Sequence, residues 1–493
     1  MIWPRGQAEG GNMEQFQADS WIGGRSVASS GDPIPVIDPG TGAQIGLAAR
    51  GGSAEVDHAV AEATKAFHAD SWRRVDPHIR GRLMWQLARD VAAHRDRLAM
   101  MLSLENGKPL RNSHAEIQTV VRYFEYYAGW ADKAGGRLVP VPGNAFSYVQ
   151  HEPLGVVAHI IPWNYPVDIF ARGVAPCLAV GNTVVVKPDE HTPLTTFEIA
   201  KLAKDAGFPD GVINIVNGTG EEAGVALANH PGIQALAFCG SISAGKSVLR
   251  AAAERIIPVV SLELGGKSAQ IVLPGADLKR AAGGAGGGIC YNTGQSCGAR
   301  SRLLVHESVA EEAAELVARA MSGVTVGYGP EDPDMGPLSS REQLESVMRF
   351  VEAGKSEGAI LREGGTAAVV EGRDGYYIRP TLFTGARTGM RIIEEEIFGP
   401  VLAMQTFASE EEAIALANDS PYGISAEVWS PDISSAHRVI NALDVSHVSV
   451  NGTGGFGIEV PFGGVKNSGI GREGGWEGVL QYSRVKSVWI NTD

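Results

Sequence analysis

Apolar residues recur three and four positions apart from Ser53 through VDHAVAEATKAF, which predicts a helix. A second helix is expected from about Pro77 to Glu105, where Leu83, Trp85, Leu87, Ala88, Val91, Leu98 and Leu102 keep the same spacing. The segment from Glu116 to Gly129 is a third, and its stripe of Val120, Tyr123, Phe124 and Tyr127 reads as a core face rather than a ligand-contacting one. Ahead of these helices, residues 1–18 read as a polar arm, and WIGGRSV and PIPVIDPGTGAQIGLAA as short strands broken by Gly and Pro turns.

From Arg137 to Pro153 the pattern changes to two extended segments around PGN, a protruding hairpin. After it, an apolar run, a turn and a helical segment alternate: GVVAHIIP then residues 167–179, NTVVVKP then LTTFEIAKLAKDAG, GVINIVN then EEAGVALANHP, ALAFCG then AGKSVLRAAAE. Strands that are apolar throughout belong to a parallel sheet covered on both faces, so the pattern predicts an α/β domain of dinucleotide-binding size. A second α/β unit is expected over 261–435, opening with IPVVSLELGG and SAQIVL as strands and continuing through a glycine-rich helix over 279–293. RSRLLVH adds a strand and ESVAEEAAELVARAM a long helix, and the tail ends in VKSVWI, a strand able to pair with the earlier hairpin.

Composition narrows the function. Lys and Arg number 42 against 56 Asp and Glu, so the net charge of -14 disfavours a nucleic-acid backbone or an anionic membrane as partner. The first twenty residues lack a basic start followed by an apolar run, and no uninterrupted apolar stretch reaches the roughly 18 residues of a spanning helix. Four cysteines, Cys177, Cys239, Cys290 and Cys297, are too few and too scattered for a disulfide framework and lack the paired spacing of a zinc site. With no HExxH and no close His, Asp and Cys cluster, no metal is expected. The expectation is a cytoplasmic protein of a reducing compartment.

Cys297, between Gly294 and Gly298 in YNTGQSCGAR, sits where the backbone can turn toward a ligand; it reads either as a nucleophile for a carbonyl carbon or as a small buried hydrophobe. The other three cysteines read as packing. Glu263 ends an apolar run in SLELGGK, where burial would raise its pKa toward that of a base working near neutrality; the plainer reading is a carboxylate anchoring strand-end amides. Asn164, between Pro162 and Pro166, either aims its amide at a developing oxyanion or caps its own turn. Gly240, Ser241 and Gly245 in FCGSISAG precede a helix and suit a pyrophosphate, although GxxxxG is not the dinucleotide fingerprint. Lys187 and Glu190 in VVVKPDE leave a strand end together and read as contacts to a sugar or as a solvated edge.

These segments together resemble the NAD(P)-dependent aldehyde dehydrogenase superfamily, in its non-acylating branch. The resemblance runs over almost the whole chain and rests on PWNYP at 162–166, KPDE at 187–190, FCGSISAG at 238–245, LELGGK at 262–267, GQSC at 294–297, EEIFGP at 395–400 and PFGGVKNSGIGRE at 461–473, in the family's order. It implies a Rossmann-type cofactor domain over 1–130 and 152–260 and an α/β catalytic domain over 261–435. It further implies a small β oligomerisation element over 131–151 and 470–493, and a return segment over 436–469 lining the active site. It makes Cys297 the nucleophile, Glu263 the general base, Asn164 the oxyanion donor with the Cys297 amide, and Glu473 a proton-relay candidate. Ile161, Trp163, Lys187, Glu190, Gly240, Ser241, Gly245, Glu396 and Phe398 become NAD-facing, with Glu396 at the nicotinamide ribose. Tyr165, Asp168, Ile169, Arg172, Tyr291, Ser296, Gly298, Phe456 and Phe462 become the substrate pocket.

The implied reaction is oxidation of an aldehyde through a cysteine thiohemiacetal and thioester, in a homodimer or homotetramer. The aromatic residues favour an aromatic or medium apolar aldehyde. Asp168 and Arg172, four apart on one helical face, are expected to pair with each other; alternatively Arg172 receives the carboxylate of a semialdehyde. A catalytically silent binding protein of the same fold and an esterase-like hydrolase are the remaining alternatives.

Overall fold

The computed structural model describes residues 15–29, 31–257, 259–452 and 457–492, and in it the alternating βα segments build the first of two large sheets. Five parallel strands lie side by side in the order Val259–Glu263, Ala235–Cys239, Val156–Ile160, Thr183–Lys187 and Ile213–Ile215. Antiparallel strands Gly469–Ile470 on one side and Ser20–Ile22 with Arg25–Val27 on the other extend this sheet to eight. Every residue of Val156–Ile160 and Thr183–Lys187 is buried, because helices cover both faces. Helix Ser53–His68 buries Val56, Ala59, Val60, Ala63, Ala66 and Phe67, the stripe its sequence spacing predicts. Helix Pro166–Ala179 is buried along almost its full length, starts on a proline at its first turn, and carries Cys177 into the core.

The second sheet has seven strands, in the order Ile360–Glu363, Thr381–Thr384, Val401–Phe407, Arg302–His306, Ala269–Val272, Ser425–Trp429 and His447–Val450. All its pairings are parallel except that of the first two strands. The segment VVSLE, expected to open this second unit, belongs instead to the first sheet: Ala235–Cys239 and Val259–Glu263 run parallel in full register, from Ala235 opposite Val259 to Cys239 opposite Glu263. The crossover to the second sheet falls in the Leu264–Ser268 turn rather than at 261.

A three-stranded sheet stands apart from both. Strand Ala145–Pro153 pairs with Arg137–Val139 on one edge and with Ser483–Asn491 on the other, so the expected pairing of the hairpin with VKSVWI forms. Other segments differ from expectation. The long second helix breaks at His94 (φ -103°, ψ 10°) into Pro77–Ala93 and Arg95–Asn106. EEAGVALANHP opens as a wide π turn over Gly220–Gly224 before an α turn over Val225–Asn229. The glycine-rich helix ends at Cys290. Of the N-terminal arm, Phe16–Ala18 is a strand paired with Gln44–Ala48, and residues 1–14 lie outside the described residues. Among the described residues, no helix is long and apolar enough to cross a membrane, and no group of His, Cys, Asp and Glu is placed to hold a metal ion.

Candidate active site

Parallel strands present their carboxyl ends along one edge, where ligands of open α/β sheets bind. Here that edge carries Lys187 opposite Ile160 and Glu263 opposite Cys239, and the chain leaves it through Ile161–Tyr165 and Gly240–Ser241. The turn after Ile160 is held by its carbonyl groups. Ile161 donates to the Lys187 carbonyl at 3.1 Å, Asn106 Nδ2 donates to the Trp163 carbonyl at 2.7 Å, and Lys108 Nζ donates to that of Asn164 at 2.9 Å. Lys108 is fully buried and ion-paired with Glu116, whose other oxygen accepts from the amides of Val167 and Asp168, both at 3.1 Å. Glu116 thereby satisfies the open N-terminus of helix Pro166–Ala179. The sequence reading did not single out Lys108, Glu116 or Asn106; their only signal was charge and amide chemistry beside a helix break at ENGKP.

The Cys297 loop starts from three successive left-handed residues, Asn292 (φ 49°), Thr293 (φ 56°) and Gly294 (φ 70°). Only glycine fits the third position, where a Cβ would stand 2.2 Å from the Gly399 carbonyl oxygen. Asn292 Nδ2 bridges the carbonyls of Asn164 and Gln295, at 3.1 Å each, and Asn164 Nδ2 donates to the Gln295 carbonyl at 3.1 Å. The LELGGK turn passes on the other side: a Cβ on Gly266 would lie 2.1 Å from the Cys297 carbonyl oxygen. Cys297 itself is half-buried, while Cys177 and Cys290 are buried in the core.

Glu263 is 1% exposed, and among the described residues neither of its carboxylate oxygens has a hydrogen-bond partner. Burial pushes its pKa up to about 8, with Glu473 adding to the rise and Arg172 opposing it. Burial and the nearby Glu263 carboxylate push the Cys297 thiol up to about 12. The thiol is thus kept protonated beside a carboxylate with a raised affinity for a proton.

Cys297 opens into a cleft of about 650 Å³. Tyr165, Asp168, Ile169, Arg172, Tyr291, Ser296, Gly298 and Phe462 all line it, and Phe456 lies outside the described residues. Tyr123, assigned to the core face, also lines the cleft, whereas Val120, Phe124 and Tyr127 are core. The glycine helix also lines the cleft, with Gly283, Gly284, Gly287 and Gly288. The expected pair between Asp168 and Arg172 does not form: Arg172 Nε lies 2.5 Å from Glu473 Oε2, because the Phe462–Glu473 bridge brings the C-terminal segment beneath the cleft.

Along the same edge, Lys187 Nζ and Glu190 Oε2 are 2.7 Å apart, so Glu190 is tethered rather than swung into solvent. Ser241 caps helix Ile242–Arg255, its hydroxyl accepting from Ala244 N at 3.2 Å. Gly245 packs against Leu264, which a Cβ there would meet at 2.5 Å. Glu396 Oε1 accepts from Gly266 N at 2.8 Å, and burial pushes its pKa up to about 7. Phe398 adopts φ 55° and meets Trp163 edge-on at 5.4 Å between ring centroids. A half-exposed helix start, an aromatic pair and tethered Lys and Glu side chains along one sheet edge fit the phosphates, ring and sugars of a dinucleotide.

A sheet edge of this kind, beside a cleft that ends on a thiol, defines the class of two-sheet α/β oxidoreductases that combine a dinucleotide with a cysteine-held substrate. The chain belongs to the aldehyde dehydrogenase family, whose model matches residues 26–488. It is an NAD-dependent enzyme that oxidises an aldehyde to the carboxylic acid through an active-site cysteine. It is 43% identical over 467 residues to retinal dehydrogenase 2 of Homo sapiens, spanning 94% of this chain and 89% of that one. It is also 43% identical over 468 residues to a hydroxyisobutyraldehyde dehydrogenase of Mycolicibacterium austroafricanum, spanning 94% and 92%. Among solved structures, the NAD+ complex of an aldehyde dehydrogenase from Bacillus cereus superposes with a TM-score of 0.94 at 40% identity, over 97% of both chains.

Proposed function

We propose that Cys297 gives its thiol proton to Glu263 and attacks the aldehyde carbon as the thiolate, that the Asn164 amide and the Cys297 backbone N–H hold the oxygen as it becomes an alkoxide, and that Glu263, once it has passed that proton on, activates the hydrolytic water. Carrying this reading is one juxtaposition: a half-buried thiol at the end of a cleft, beside a buried carboxylate with no partner of its own. When bound, NAD supplies the hydride acceptor and a cationic ring that favours the thiolate over the thiol. Loss of hydride leaves the substrate carbon as a thioester on Cys297. Water then adds to that carbon, Glu263 takes its proton, the C–S bond breaks and the acid leaves. An unpartnered carboxylate of raised pKa suits that task; its presence disfavours a route in which coenzyme A accepts the acyl group. Glu473 sits behind it, bound to Arg172, where a proton leaving Glu263 can pass. Lys187, Glu190, Ser241, Glu396, Phe398, Ile161, Trp163 and Gly240 form the cofactor side, with NAD preferred over NADP because Glu190 repels a 2'-phosphate.

The two relatives are named for retinal and for hydroxyisobutyraldehyde, so the substrate is argued from this cleft. Tyr165, Tyr291, Ile169 and Phe462, with the bare glycines of helix Leu278–Cys290 in the same lining, suit an aromatic or medium apolar aldehyde. Arg172 is already matched by Glu473, which removes the support for a carboxylate-bearing semialdehyde. The first sheet is the cofactor domain and the second the catalytic domain. The three-stranded sheet joins copies in a homodimer or homotetramer, a role its exposed Leu138, Phe146, Val485 and Trp489 support.

Cys297→Ser should abolish aldehyde-dependent NAD reduction, by about 10³-fold or more, while cofactor binding persists. Glu263→Gln should leave one rapid turnover and block the next. Unchanged oxidation by the serine variant would remove Cys297 from the mechanism.

A further inference from the structure

Every arginine lining the cleft is matched by a carboxylate outside its lumen. Arg122 meets Glu459 at 3.1 Å, Arg172 meets Glu473 at 2.5 Å and Arg300 meets Glu427 at 3.0 Å. Lys108, behind Tyr165, is matched by Glu116. Burial and the nearby Arg472 charge hold His447 below the usual histidine range, so it is neutral near pH 7. Asp168 remains. It lines the cleft, and among the described residues its carboxylate takes part in no hydrogen bond or ion pair. Charged and titratable groups near it are Arg172, Glu116, Lys108, Glu473, Tyr123 and Tyr291. Of these, the two cations are cancelled by the two glutamates and the tyrosines are neutral. Among the described residues the lumen therefore carries one uncompensated negative charge, walled by tyrosine rings whose faces also attract cations.

We infer that Asp168 selects the substrate, accepting a hydrogen bond from a donor group at the far end of the aldehyde, with an ammonium preferred to a hydroxyl and a carboxylate rejected. This deepens the aldehyde reading above and rests on it. Burial pushes Asp168 up to about 6, which still leaves the carboxylate mostly ionised at neutral pH. An apolar or aromatic body against the glycine helix and a donor-bearing tip at Asp168 together fill the cleft. A carboxylate tip would meet like charge, with no arginine free to offset it.

The test compares kcat/KM for four para-substituted benzaldehydes of similar size, bearing aminomethyl, hydroxymethyl, methyl and carboxylate groups, in the wild type and Asp168→Asn. The expected wild-type order is aminomethyl, hydroxymethyl, methyl, carboxylate, with at least tenfold between the ends. In the variant the ratio of aminomethyl to methyl substrate should fall by about tenfold and the ratio of carboxylate to methyl should rise. Should the variant not fold, competition in the wild type by benzylammonium, benzyl alcohol and benzoate reads the same order. Oxidation of the methyl compound with no charge order, or ratios unchanged in Asp168→Asn, overturns the role of Asp168 and leaves the aldehyde reading standing. Failure to oxidise any of the four overturns both.

Discussion

Arg172 and Glu473, far apart in sequence, form a buried ion pair at 2.5 Å that acts on Glu263 with opposite signs: Glu473 raises its pKa and Arg172 lowers it. Glu473→Gln removes the raising charge and leaves Arg172 unopposed, so Glu263 stays ionised to lower pH. A base works in its ionised form, so the acid limb of the deacylation rate should move down by about one pH unit. Arg172→Met should move it up. Rapid-quench or burst kinetics across pH 5–9 would read both, and a shift of the same sign in both variants would refute the assignment.

The Lys108–Glu116 pair is predicted to hold the Asn164 turn. Removing either partner strands a buried charge, at a cost of about 3–5 kcal/mol in stability. Lys108→Met combined with Glu116→Gln should cost less than the sum of the single changes, because neither charge is then left alone. Denaturant melts of the three variants give the coupling; additivity would mean that the two groups do not act as a pair.

Cofactor choice should depend on the Lys187–Glu190 tether. With Glu190→Gln, a 2'-phosphate no longer meets a carboxylate, and Lys187 is released to receive it. The ratio of kcat/KM for NAD to that for NADP should then fall by about tenfold or more. An unchanged ratio would place discrimination elsewhere.

His159 supplies an acid-sensitive element. It lies buried with Nε2 3.6 Å from Cys177 Sγ, and burial depresses its pKa to about 3. The unfolded chain takes up this proton below about 6.5, whereas the folded chain does not, so stability falls as pH drops from 6.5 toward 3. The loss from this group alone is about 1.4 kcal/mol per pH unit within that window. His159→Gln should therefore lose less in Tm between pH 7 and 5 than the wild type; equal losses would exclude His159 as the source.

Much of this molecule was legible from spacing. The stripe from Val56 to Phe67, the fully apolar strands and the hairpin that meets VKSVWI all announced themselves, because burial dictates which residues face inward. Sheet membership did not. VVSLE and AQIV are similar apolar runs separated by a short turn, and only pairing with Ala235–Cys239 puts the first in the other sheet. Partner choice was hidden for a related reason: the i,i+4 rule names Asp168 for Arg172, but Glu473 reaches it from a strand bridge no local pattern contains. The supports of the Asn164 turn were equally silent, since Lys108 reaches it across 56 positions of sequence.

The strand that completes the three-stranded sheet, Ser483–Asn491, lies far along the chain from the hairpin it joins, and Arg484 meets Glu152 across 332 positions. During synthesis the hairpin therefore waits, with one backbone edge unpaired, until Ser483–Asn491 has left the ribosome. A nascent chain stalled or clipped before Ser483 retains the sheet edge that carries Glu263 and Lys187, yet displays a bare strand open to any extended peptide.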